Sequence, residues 1–165
     1  METTEVIMRT FAIGAGATLA MDVWALVRRR VFGVPALDYA LVGRWLAWLP
    51  RGRVVHTPIA TTPPARGESV TGWAAHYLIG IAFAAVLVAL FGTEWLSGPT
   101  PVPAMIIGVG SVVAPFFILQ PALGAGIAAR RTPRPWAARM HSVVTHAVFG
   151  AGLYASAWTV ARLGA

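Results

Sequence analysis

An all-α membrane protein, a four-helix transmembrane bundle with a short interfacial amphipathic helix between spans 1 and 2, is the fold class that the sequence predicts. Three observations predict it. Apolar residues make up 57% of the chain and charged residues 12%, with a mean hydropathy of +0.68, which lies outside the range of ordinary soluble domains. Four apolar runs reach the roughly 20 residues needed to cross a bilayer as a helix. Eleven of the thirteen basic residues, all arginine, fall in two segments between those runs, as cytoplasmic loops do under the positive-inside rule. At 165 residues there is room for one integral-membrane domain, 1–165, and hardly for a second.

The first span is read over 6–27 and is closed by Arg28, Arg29 and Arg30. The preceding "METTE" is acidic and lacks the basic region of a signal peptide, so this span is expected to be a retained helix. The connection 31–69 follows, assigned to the cytoplasm. Within it, "DYALVGRWLAWLP" opens on Asp38 as an N-cap and stops at Pro50, while Leu41, Trp45, Trp48 and Leu49 share one helical face. This predicts a short helix in the membrane interface, with Trp45 and Trp48, together with Arg28, Arg29 and Arg30, as interfacial anchors. The next stretch, "RGRVVHTPIATTPPARGES", is rich in Pro, Thr and Gly and reads as a loop without regular structure.

The second span is read over 70–91, capped by Ser69, with Trp73 and Trp95 as interfacial aromatics near its ends. The third is read over 103–129, with Pro103 in an early helical position. Its "QPALGAG" predicts a kink or break, because Pro121 removes a backbone donor and Gly124 and Gly126 weaken a helix; Pro115 is a further kink site. The fourth span is read over 140–160. With both arginine-rich connections inside, the "GTEWLSGPTP" turn and both termini lie outside. Gly14, Gly16, Gly80, Ala84, Gly108, Gly150 and Gly152 read as small residues that let helices approach closely.

A formal charge of +7 and a pI near 11.5 raise the question of nucleic acid. The arginines follow the topology and no nucleic-acid motif accompanies them, so the basic charge is assigned to anionic lipid headgroups. The chain has no cysteine, which excludes disulfides, thiolate metal sites and a cysteine nucleophile. "GAGAT" lies in an apolar span with no preceding strand and is not a phosphate loop.

Ionisable groups inside a membrane span are costly and mark candidate sites. Asp22 lies six residues before Arg28, His146 seven after Arg139 and His76 seven after Ser69, which puts all three about 9–11 Å from the cytoplasmic helix ends. Gln120 opens the weakened part of the third span, and irregular backbone at membrane depth is tolerated only where protein buries it or water wets it. A polar, cytoplasm-facing cavity is therefore expected at the level of Asp22, His76 and His146, with Gln120 nearer the midplane and His141 and Ser142 at its mouth. If a metal binds, Asp22, His76 and His146 are its ligands, but no HxxxH or ExxH pair is present. No cofactor is implied. Ser142, His146 and Asp22 supply the residue types of a nucleophilic triad without an oxyanion loop, so the reading favours a protein that is not an enzyme.

"GAGATLAMDVWALVRRRVFGVPALDYALVGRW", "GWAAHYLIGIAFA", "APFFILQPALGAGIAA" and "HAVFGAGLY" together resemble a family of small bacterial inner-membrane proteins classed as a domain of unknown function. The resemblance covers nearly the whole chain. It implies four spans and a multi-pass bacterial inner-membrane protein, hence termini in the periplasm, and it implies no reaction or ligand; its segments contain Asp22, Arg44, His76, Gln120 and His146. Two function classes follow. One is binding or transport of a proton, cation or small polar ligand through the Asp/His cavity, in a homo-oligomer. The other is a non-catalytic structural or accessory subunit of a membrane complex, in which the same residues lock helices.

Overall fold

The computed structural model describes residues 1–164, and among them there is no strand. Four helices are long and apolar enough to cross a membrane: Thr3–Phe32, Glu68–Phe91, Pro101–Leu123 and Pro135–Leu163. α1 (Thr3–Phe32) carries Glu5 in its first turn and Arg29 and Arg30 in its last, a distribution that complements the helix dipole. It ends because Gly33 adopts a left-handed φ of 63° and, with Val34, turns its N–H back onto the Arg28 carbonyl.

α2 (Tyr39–Trp48) is the short helix expected between the first two spans. The Asp38 carboxylate caps it, accepting the Ala40 N–H at 2.9 Å. A 3-10 turn, Leu49–Arg51, and left-handed Gly52 close it. α3 (Glu68–Phe91) begins at Glu68, so Ser69 lies inside the helix and does not cap it. The carboxylate of Glu68 reaches back to the Ala65 N–H at 2.8 Å and fixes the turn that leads into the helix.

The third span is broken, and it ends at Leu123 rather than 129. It comprises α4 (Pro101–Gly110), a π-helical turn at Pro115–Leu119, and α5 (Gln120–Leu123). Pro115 has no N–H to donate, and the turn widens until Gln120 N–H meets the Pro115 carbonyl. Beyond α5 the backbone turns left-handed four times in six residues, at Gly124 (φ 100°), Gly126 (74°), Ala128 (47°) and Ala129 (57°). Helix cannot continue through such a run. α6 (Pro135–Leu163) starts on a proline, whose missing N–H costs nothing in the first turn.

The described chain forms two compact units. The first comprises residues 1–36, 77–111 and 144–164. Its core is apolar: Ile13, Ala17, Ala84, Leu87, Leu96, Ala104, Phe149, Leu153 and Ala157 are buried together. Trp95, expected as an interfacial anchor, belongs to this core, with its indole N–H on the Thr100 carbonyl. Small residues bring the helices together. A Cβ on Gly108 would collide with the backbone of Gly150, one on Gly14 with Ile81, and one on Gly152 with Ala17. The second unit comprises residues 37–76 and 112–143. Its buried residues include Val42, Ile59 and Ala122, but also Arg44, His56 and Thr62. Here α2 meets the start of α3 backbone to backbone, since a Cβ on Gly43 would strike the Glu68 carbonyl and one on Gly72 the Tyr39 carbonyl.

Candidate functional site

In the first unit, Asp22 lies on α1, half-buried, and its Oδ2 accepts the phenol of Tyr77 at 2.9 Å. Sequence reading passed over Tyr77. His146 on α6 is 2.7 Å through Nδ1 from Ser111 Oγ, whose own proton goes to the Gly108 carbonyl at 2.6 Å. Nδ1–H must therefore donate to the serine, and in the neutral ring Nε2 carries the lone pair. Arg28 reaches Thr145 Oγ1 and the Pro35 carbonyl, while Arg29 and Arg30 are exposed.

In the second unit, His76 on α3 stacks on Tyr39 of α2 with ring centroids 4.1 Å apart, and the Tyr39 hydroxyl lies 3.0 Å from His76 Nε2. Trp73 flanks both rings. Gln120, read from sequence as nearer the midplane, meets Ser142, read as lining the cavity mouth: its Nε2 donates to Ser142 Oγ at 3.2 Å, and that hydroxyl donates to the Ala138 carbonyl. His141, one residue earlier on α6, is half-buried. Trp45 and Trp48 donate their indole N–H groups to the Val54 and Pro63 carbonyls, so the rings are fixed by the loop.

The most connected polar group in this unit is Arg44. It is 9% exposed, so its charge needs a full set of partners. Nε and Nη2 make a forked pair with Glu68 at 2.9 and 2.7 Å, and Nη1 reaches the Thr62 carbonyl at 3.0 Å. The hydrogen bond to Glu68 raises the Arg44 pKa above its ordinary value, against the opposing effect of burial. The stretch 53–62 has no regular structure apart from a 3-10 turn at Ile59–Thr61, yet it is held in place. Thr62 Oγ1 pairs with His56 Nδ1 at 2.8 Å, and His56 N–H donates to the Ala122 carbonyl at 2.9 Å. A chain of bonds thus runs from Glu68 through Arg44, Thr62 and His56 to the broken end of the third span. Arg139 ties the left-handed run to α6, donating to the Ala128 carbonyl at 2.8 Å.

Two side chains of this unit have unused hydrogen-bonding capacity. His56 is 4% exposed and its Nε2 has no partner; Gln120 Oε1 is likewise buried and unpartnered. Buried polar atoms are nearly always satisfied, and these two exceptions flank one break in a helix. Gln120 was singled out from sequence and His56 was not. A histidine in a loop of threonines and prolines carries no periodic signal, and the available hint was that Thr62 follows it by six residues, on the far side of a turn. Among the described residues no three His, Asp or Glu side chains are grouped to hold a metal ion. Residues 11–160 match the family described as protein of unknown function DUF2938, and the chain belongs to that family. No curated protein and no solved structure matches it.

Proposed function

We propose that this DUF2938 chain binds a proton, a cation or a small cationic ligand at the broken end of its third span. The observation that carries this reading is the pair of buried, unpartnered atoms, His56 Nε2 and Gln120 Oε1, next to a run of left-handed backbone. Gln120 Oε1 can only accept, so its occupant presents a donor hydrogen or a positive charge. Discontinuous helices offer such ligands polar backbone that a continuous helix does not. Asp22, His76 and His146 are the further ionisable groups of this reading, by their shared depth in the spans. The protein sits in a bacterial inner membrane with both termini in the periplasm and acts as a homo-oligomer, a reading supported by the arginine distribution and by the small volume four spans enclose.

The test is thermal unfolding of the purified protein in detergent, with sodium, potassium or ammonium chloride exchanged for choline chloride at constant ionic strength and at several pH values. Stabilisation by one of these ions or by protons is expected in the wild type and absent in Gln120→Met and His56→Phe. Indifference of the wild type to all of them would sink the reading. A structural or accessory role is favoured by a different observation: Asp22, His76 and His146 each hold a hydroxyl from another helix, Tyr77, Tyr39 and Ser111, and such bonds lock helices together. Stable copurification with a second membrane protein, without any ion dependence, is the outcome that reading expects.

A further inference from the structure

The end of α2 carries a feature that the buried network does not use. Ala47, Trp48, Arg51, Pro64, Ala65 and Arg66 line a partly open cavity of about 400 Å³. That volume falls within the roughly 300–1,000 Å³ of small-molecule sites. Arg51 and Arg53 both lie over the Trp48 ring, 5.1 and 5.2 Å from its centroid. Among the described residues neither they nor Arg66 is paired with a carboxylate, and the neighbouring Glu68 is held by Arg44 and the Ala65 N–H. Three cations gathered without an anion repel one another unless one is supplied. The site is also preorganised: the Trp48 indole is tied to the Pro63 carbonyl, and Arg51 donates to the Ala47 carbonyl at 2.7 Å.

We propose that this cavity binds the phosphate diester of an anionic phospholipid headgroup. Guanidinium forks suit phosphate oxygens. Two observations favour a lipid over a free phosphate. The cavity walls include alanine, proline and an indole face, and Val54 and Val55, next along the chain from Arg53, are 54% and 60% exposed. A headgroup with its glycerol and upper acyl chains uses such apolar surface, and inorganic phosphate does not. Trp48 lies on the same helical face as Leu41 and Trp45, so the basic cavity sits at one end of an amphipathic helix of the kind that lies in the interface.

The experiment is native mass spectrometry of the full chain released from detergent, with phosphatidylglycerol, phosphatidylcholine or inorganic phosphate added. Phosphatidylglycerol should be retained in preference to phosphatidylcholine. Arg51→Gln with Arg66→Gln should weaken that retention about thirtyfold, and Arg66→Gln alone about fivefold, the effect of one basic group near an anionic surface. Arg29→Gln with Arg30→Gln removes the same charge from interfacial anchors outside the cavity and should weaken retention less than Arg66→Gln alone. Arg66 is exposed and makes no hydrogen bond, so its single variant decides the matter even if the double variant misfolds. Equal weakening by the Arg29 and Arg30 pair would show a diffuse charge effect and overturn the site. Full competition by inorganic phosphate would make it a free-anion site and overturn the lipid assignment. Unchanged retention in every variant would overturn both.

Discussion

The two units of this chain bury different kinds of residue by different means. In the unit of residues 1–36, 77–111 and 144–164, burial falls on Ile13, Leu87, Leu96, Phe149 and Leu153, and Gly14, Gly108 and Gly152 let the helix backbones touch. Its polar side chains bond in small separate sets, Tyr77 with Asp22 and Ser111 with the Gly108 carbonyl and His146, and the Trp24 indole N–H is buried without a partner. In the unit of residues 37–76 and 112–143, the buried set includes a guanidinium and an imidazole, and the backbone leaves helical geometry repeatedly. Close packing is the main source of helix association in lipid, where no hydrophobic drive exists between spans. The second unit instead depends on a polar network, and such networks are costly wherever they are incomplete. It is incomplete at His56 and Gln120, which is why the candidate site is assigned there.

The contrast is most directly broken by removing one partner of the forked pair. Glu68→Gln leaves the buried Arg44 without a counter-charge and is expected to cost about 3 kcal/mol in reversible unfolding from detergent. A cost below that of an exposed ion pair would mean that the second unit does not rest on this network. Next in size is Gly108→Ala in the first unit. The new methyl meets the backbone of Gly150, which cannot rotate away, and a loss of about 2 kcal/mol is expected in the same assay.

A smaller effect of opposite sign should sharpen the comparison. Gln120→Met removes a buried acceptor that has no partner, a gain that exceeds the loss of the long 3.2 Å bond from its Nε2 to Ser142, so stability without added ions should rise by about 0.5 kcal/mol. Any ion-dependent stabilisation should vanish in the same variant, a trade of function against stability. An effect of similar size is expected at Asp22→Asn, which keeps an acceptor for the Tyr77 phenol and removes the charge. Its cost should be about 0.6 kcal/mol, the average for hydrogen bonds between membrane helices. A double-mutant cycle with Tyr77→Phe measures the pair directly; coupling near zero would show that the bond does not support the first unit.

Local pattern carried much of this architecture. The four apolar runs, the Asp38 cap, the α2 helix and the break after Gln120 are each written in fewer than thirty consecutive residues, and each is present. Gly14, Gly108, Gly150 and Gly152 were legible as packing positions because only small residues permit backbone contact. Trp95 was misjudged: an indole beside a turn has the same sequence signature whether it faces lipid headgroups or a core. The third span was drawn six residues too long because Ile127, Ala128 and Ala129 are as apolar as helix residues, and hydropathy does not register φ.

By itself, then, the sequence determined the membrane class, the number and order of the spans, and which helix would break, since these follow from apolar length, charge placement and the backbone chemistry of proline and glycine. Only the tertiary structure decided the partners. Tyr77 reaches Asp22 across 55 positions, Ser111 reaches His146 across 35, and His56 joins Ala122 across a loop with no periodicity. A side chain's hydrogen-bond partner depends on which helix faces bring their backbones together in space, and that is settled by packing among all the spans at once, information that no local stretch of the chain contains.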